Sequence, residues 1–238
     1  MLFRSVGAEQ QVAEVAQKVA KEKYGLDVEL VTFNDYVLPN EALSKGDIDV
    51  NAFQHKPYLD QQIKDRGYKL VAVGNTFVYP IAGYSKKIKS LDELQPGSQI
   101  AVPNDPTNLG RSLLLLQQVG LIKLKDGVGL LPTSLDIVEN PKNLKIVELE
   151  APQLPRSLDD AQIALAVINT TYASQIGLTP AKDGIFVEGK ESPYVNLIVA
   201  REDNKDAENV KKFVQAYQSD EVYEAANKIF NGGAVKGW

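Results

Sequence analysis

Cysteine is absent from this 238-residue chain, and histidine, methionine and tryptophan occur once each. Without thiols there are no disulfides, no thiolate metal sites and no cysteine nucleophile. A single imidazole leaves too few ligands for the usual zinc motifs. Basic charge is also short: 26 Lys and Arg stand against 31 Asp and Glu, a net charge of -5. That balance gives no electrostatic case for nucleic acid or an anionic membrane surface. No apolar run approaches the roughly 18 residues of a transmembrane helix. Gly-x-Ser-x-Gly, Walker, Gly-x-Gly-x-x-Gly and His-Glu-x-x-His patterns are all missing. No catalytic residue, metal or cofactor is therefore assigned.

What is present is an ordinary soluble composition, 44% apolar and 24% charged, long enough for one large domain or two lobes. Strand and helix patterns alternate. Val12, Val15, Ala16 and Val19 form a helical stripe ending at Gly25; strands are predicted over 28–33 and 48–53, and helices over 41–45 and 57–66, the helices closed by Gly46 and Gly67. Such alternation argues for a parallel sheet. Pro80, inside the extended stretch 77–85, suits an edge or a crossing between lobes. A capping-box pattern at Ser90–Glu93 then opens a second series, with strands over 99–102, 144–149, 163–169 and 194–201 and a helix over 107–119. Two amphipathic helices, 206–218 and 220–230, close the chain and are expected to pack back on the first lobe. Met1–Ser5 has no signal-peptide character and leaves little room for a strand before the first helix, so it reads as a non-native or junction segment that has displaced the first strand of the lobe.

Two stretches carry candidate chemistry. The strand ending at Phe53 puts Ile48, Val50 and Ala52 on the core face and turns Phe53 away from it, with the lone His55 and Tyr58 following and Tyr36 in the loop after the preceding strand. These four rings can converge on a pocket beyond the strand ends, where α/β folds bind ligands. The plainer alternative is that Tyr58 packs its helix, Phe53 caps the core and His55 serves as a helix N-cap. Asp47, Asp49 and His55 make a poor acid-base group, because the two Asp flank a turn. The second stretch, Pro103–Arg111, is a proline-punctuated loop running into a helix. A cation near a helix start opposes the dipole and suggests an anion nearby, carboxylate being a good bidentate partner. Pairing with Asp105 is the alternative. Asn169 and Asn196 interrupt apolar strands, as ligand contacts or as bridges between backbones.

The segments Gly7–Gln10, Phe33–Asn40, Ala52–Tyr58, Ile100–Asn108, Ala164–Asn169 and Tyr194–Asn196 together resemble the NlpA family of methionine-binding lipoproteins, over the span Val6 to Trp238. The resemblance implies an α/β periplasmic-binding-protein fold: two α/β lobes joined by two crossing segments, with the ligand between them. Lobe 1 would comprise 6–80 and 195–238, and lobe 2 residues 81–194. It implies a monomeric, non-enzymatic receptor that delivers L-methionine, with D-methionine or derivatives as further ligands, to the membrane subunits of an ABC importer. Another small apolar amino acid or a methionine-containing dipeptide is the alternative ligand, and an amino-acid-modifying enzyme using His55 the alternative class. Carried over by position, Tyr36, Phe53, His55 and Tyr58 surround the methionine side chain, Arg111 holds the carboxylate, and Asn169 and Asn196 contact the amino-acid backbone. The family also implies a periplasmic, lipid-anchored parent with a signal and lipid-acceptor cysteine that this chain lacks.

Overall fold

In the computed structural model, which describes residues 1–5 and 8–238, the chain opens with a strand, β1 (Leu2–Ser5). This corrects the reading of Met1–Ser5 as a junction that cost the lobe its first strand. β1 runs parallel to strands on both sides, with Leu2 to Ser5 opposite Glu29 to Thr32, and Phe3 and Arg4 opposite Val50 and Asn51. The Asp49 carboxylate also accepts the Leu2 N–H at 2.7 Å. Four residues carry no periodicity of their own; the partners that make them a strand lie 27 and 47 residues downstream, where no local pattern reports them. Val6 and Gly7, and with them the expected start of lobe 1 and the first residue of the Gly7–Gln10 segment, lie outside the described residues.

The chain continues as α1 (Ala8–Tyr24), β2 (Glu29–Thr32), α2 (Leu38–Lys45), β3 (Val50–His55), α3 (Lys56–Arg66), β4 (Leu70–Asn75) and β5 (Phe77–Val78). Next come β6 (Ala82–Tyr84), β7 (Gln99–Pro103), α4 (Pro106–Gln118), β8 (Lys123–Leu124), β9 (Ile137–Glu139), β10 (Lys145–Leu149) and α5 (Leu154–Ser157). β11 (Ile163–Ile168), α6 (Thr170–Ala173), α7 (Pro180–Asp183), β12 (Phe186–Val187), β13 (Asn196–Arg201), α8 (Glu208–Tyr217), α9 (Asp220–Ile229) and β14 (Val235–Lys236) complete it. The Ser90–Glu93 capping box is formed, on a single 3₁₀ turn. Two compact units result: unit 1 is Met1–Tyr79 with Lys190–Trp238, and unit 2 is Pro80–Gly189.

Each unit is built on a five-stranded sheet. Unit 1 has the order β2-β1-β3-β13-β4 and unit 2 the order β10-β7-β11-β6-β12. Neither is wholly parallel, as strand-helix alternation had suggested. β13 runs antiparallel to β3 and β4, and β6 antiparallel to β11 and β12. These strands enter from the far end of the sequence or from the crossing, so they do not follow the right-handed β-α-β path.

In unit 1 the stripe Val12, Ala13, Ala16, Val19 and Ala20 of α1 packs on Val50 and Ala52 of β3 and on Val210, Phe213, Val222 and Ala226 of the last two helices. The terminal helices thus belong to the core of unit 1. In unit 2, Leu109, Leu113 and Leu116 of α4 cover Ile100, Val102, Leu165 and Val167. Gly25, Gly46 and Gly67 all take positive φ where helices end, a conformation other residues adopt only under strain.

Candidate functional site

β3 delivers the unit 1 residues. All six of its residues are buried. Val50 and Ala52 face the core under α1. Phe53, on the other face, is only 3% exposed and groups with Tyr58 and the half-buried Tyr36 apart from that core. It is turned from the helix-packed core, as the alternation predicts, yet it is covered. The ring centroids of Tyr36, Phe53 and Tyr58 are 5.9 to 6.1 Å from one another, in the range of favourable aromatic pairs. The Tyr58 hydroxyl donates to the Tyr36 carbonyl at 2.8 Å, which fixes the loop that carries Tyr36.

His55 ends β3 and caps α3 at once. Its Nδ1 accepts the Tyr58 backbone N–H at 3.2 Å, which ties the strand end to the first turn of α3. It also meets Tyr194 edge-on at 5.0 Å and Tyr58 at 6.2 Å. His55 thus serves as the N-cap of α3 and packs against the Tyr58 and Tyr194 rings as well. Asn196 lies opposite His55 in the β3–β13 register. It begins β13 and does not interrupt it.

Beneath this group is a closed amide network. Asn40 and Gln54 exchange hydrogen bonds at 2.8 and 2.7 Å, Asn51 donates to Asn40 at 3.0 Å, and Gln54 donates to Asn51 at 3.0 Å. All three are at most 2% exposed. The network ties the start of α2, just beyond Tyr36, to the strand that carries Phe53 and His55. Removing one amide strands two others, each costing about 1–3 kcal/mol when left unpaired. Gln54→Leu is therefore expected to lower stability by about 2–6 kcal/mol. Urea unfolding checks this, and an unmoved midpoint would mean that the network is dispensable.

Unit 2 contributes a polar set. Asp105 caps α4, accepting from the Asn108 N–H at 3.1 Å, from Asn108 Nδ2 at 3.0 Å and from the Thr107 hydroxyl at 3.0 Å. Desolvation pushes its carboxyl above the usual range, against the pull of those hydrogen bonds. The folded protein then holds that proton more tightly than the unfolded chain does. This group's contribution to stability accordingly falls as pH rises from the ordinary carboxyl range through the raised value.

Asn108 Oδ1 in turn accepts from Asn169 Nδ2 at 3.2 Å. Asn169 follows β11 directly, and its own Oδ1 is buried without a hydrogen-bond partner among the described residues. That oxygen suits a donor such as an ammonium. Arg111 does not pair with Asp105. Its Nε and Nη2 grip Glu188 at 2.8 and 2.6 Å, a two-pronged ion pair with side chains 4% and 11% exposed. Glu188 occupies one edge of a guanidinium that has five donors.

Sequence reasoning missed Tyr194, Glu188, Asn108 and the amide network. Tyr194 was legible, since it shares parity with Asn196 on an extended stretch. Glu188 carries no local signal, being 77 residues from its partner. Among the described residues no group of three or more His, Cys, Asp or Glu could hold a metal ion, and no helix is long and apolar enough to cross a membrane.

The model of the NlpA lipoprotein family matches residues 5–238. The chain is 95% identical to the D-methionine-binding lipoprotein MetQ of Escherichia coli (strain K12), covering 98% of this chain and 86% of that one. A nutrient-binding protein from Burkholderia cenocepacia, solved bound to methionine, is similar at 54% identity and a TM-score of 0.95, covering 100% of this chain and 99% of that one. A periplasmic substrate-binding protein of an ABC transporter from Coxiella burnetii is similar at 50% identity and a TM-score of 0.95, covering 99% of each chain.

Proposed function

Because the chain belongs to the NlpA lipoprotein family, we propose that it is an extracytoplasmic receptor that captures methionine and passes it to an ABC importer. The observation that carries this reading is the ring group of Tyr36, Phe53, His55, Tyr58 and Tyr194 in unit 1. A thioether is soft and polarizable, and each sulfur contact with an aromatic ring is worth roughly 0.3–1.5 kcal/mol. Tyr36, Phe53, His55 and Tyr58 take the methionine side chain. Arg111 takes the carboxylate on the edge away from Glu188, Asn169 Oδ1 takes the ammonium, and Asn196 contacts the amino-acid backbone. The same reading has the receptor work in the periplasm, held there by a lipid anchor. The related proteins named for D-methionine make the D enantiomer a ligand to test beside the L form.

The test is calorimetric titration of protein unfolded and refolded to strip any carried ligand. Saturable one-to-one binding of methionine, with no response to leucine, is expected; heat from leucine of the same size would overturn the reading. In the same assay Asn196→Ala is expected to lose tenfold or more in affinity while staying folded, since it leaves ligand polar groups unpaired. Arg111→Lys should also weaken binding, because one ammonium cannot reproduce a two-pronged contact. Wild-type affinity in either variant would remove that residue from the site.

A further inference from the structure

Asn196 stands at the first position of β13, where a strand's own ladder holds least. The pairings of β13 with β3 and with β4 both slip in register just ahead of Val199. An irregularity of that kind interrupts the ladder locally. The placement of Asn196 therefore depends on contacts outside the regular pairing.

One such contact leads to the last residues of the sequence. Thr76, the single buried residue between β4 and β5, donates its backbone N–H to the Asn196 carbonyl at 2.7 Å. Its own carbonyl accepts the Gly237 N–H at 2.9 Å. β14 delivers Gly237 to that carbonyl by running antiparallel to β5, with Val235 opposite Val78 and Lys236 opposite Phe77. The Gly237 carbonyl is held in turn, accepting from Asn75 Nδ2 at 2.9 Å, and the Asn75 carbonyl accepts from Gln218 Nε2 at 2.9 Å. A relay of backbone hydrogen bonds thus runs from Gly237 through Thr76 to Asn196, inside unit 1.

Position 237 has room for glycine alone. A β-carbon there would stand 2.5 Å from the Thr76 carbonyl oxygen and 2.6 Å from a Val195 methyl, well inside the roughly 3.5–4.0 Å of ordinary non-bonded contacts. Close approach of two backbones is a use to which glycine is suited. The two residues it would strike are the one that holds the Asn196 carbonyl and the one that precedes Asn196 in the chain.

We propose that Gly237 is a positioning residue of the ligand site. Through Thr76 and Val195 it sets the backbone of Asn196, and so the aim of the amide that contacts the amino-acid backbone of methionine. Gly237 itself touches no ligand, and its role rests on the methionine reading.

Two measurements test this. Amide hydrogen exchange of the ligand-free protein reads the relay alone: the Thr76 N–H should exchange about tenfold or more faster in Gly237→Ala than in the wild type. Equilibrium dialysis of radiolabelled methionine reads the consequence. Gly237→Ala should bind about tenfold more weakly when Asn196 is present, and within about twofold of its parent in an Asn196→Ala background, because changes acting through one contact do not add. A chain ending at Lys236 removes the donor without a clash and should show both effects even if Gly237→Ala fails to fold. Trp238→Ala removes an edge-on contact with Phe77 at 5.1 Å but leaves the relay, so it should lower the melting temperature and keep wild-type affinity. Unchanged Thr76 exchange, the same loss of affinity in both Asn196 backgrounds, or an equal loss in Trp238→Ala would each overturn the proposal. A wild-type protein with a protected Thr76 amide and no affinity for methionine would overturn the methionine reading, and the ligand role of Gly237 with it, while the exchange result kept the relay itself intact.

Discussion

Deleting Met1–Ser5 is expected to unfold unit 1 or to lower its melting temperature by about 10–20 °C. β1 is the second strand in the order β2-β1-β3-β13-β4, and four of its residues pair on one side and two on the other. Its removal deletes several backbone hydrogen bonds worth about 1 kcal/mol each. It also removes the Leu2 contact with the cluster of Leu43, Ile48, Leu59 and Leu197, and it separates β2 from the rest of the sheet. A combined loss of about 5 kcal/mol is a large part of the 5–15 kcal/mol that holds a typical domain. For a chain of this size 1 kcal/mol shifts the midpoint by about 2–4 °C. Circular dichroism melting of the two proteins decides the matter. Superimposable curves would show that the segment is an appendage.

The second large effect is expected from Glu188→Ala. The substitution leaves the Arg111 guanidinium, 4% exposed, without its carboxylate. Breaking a buried pair from one side costs about 3–5 kcal/mol, and the 11% exposure of Glu188 puts this case at the lower end. A second consequence follows from the proposed function. A ligand carboxylate on Arg111 would then supply the counter-charge that Glu188 supplies in the wild type, so methionine should raise the melting temperature of the variant more than that of the wild type. Scanning calorimetry with and without methionine reads both effects. Full stability without ligand would mean that solvent reaches Arg111 freely, and equal ligand-induced shifts would separate Arg111 from the carboxylate.

Much of this was written in local patterns. The stripe of α1, the glycines at positive φ and the prolines at helix starts depend on neighbours a few residues away, and the helices they predict are found within about a turn of their expected ends. α2 is longer than predicted because its first turn, Leu38–Asn40, holds a proline and a buried amide whose partners lie on β3. The candidate site was legible where a strand end and a helix start coincide, as at Phe53, His55 and Tyr58. It was illegible where residues depend on long-range pairing. β1 needs both neighbouring strands, Arg111 needs Glu188, and Asn40 needs Gln54; each partner belongs to a separate element and leaves no trace in spacing.

The most direct test is anomalous diffraction from crystals grown with methionine. The chain has no cysteine and one methionine, Met1, so it carries a single sulfur. The account predicts one further sulfur peak, about 5 Å from the rings of Phe53 and Tyr58, with the ligand carboxylate on Arg111. A peak remote from those rings, or a carboxylate held elsewhere, would contradict it.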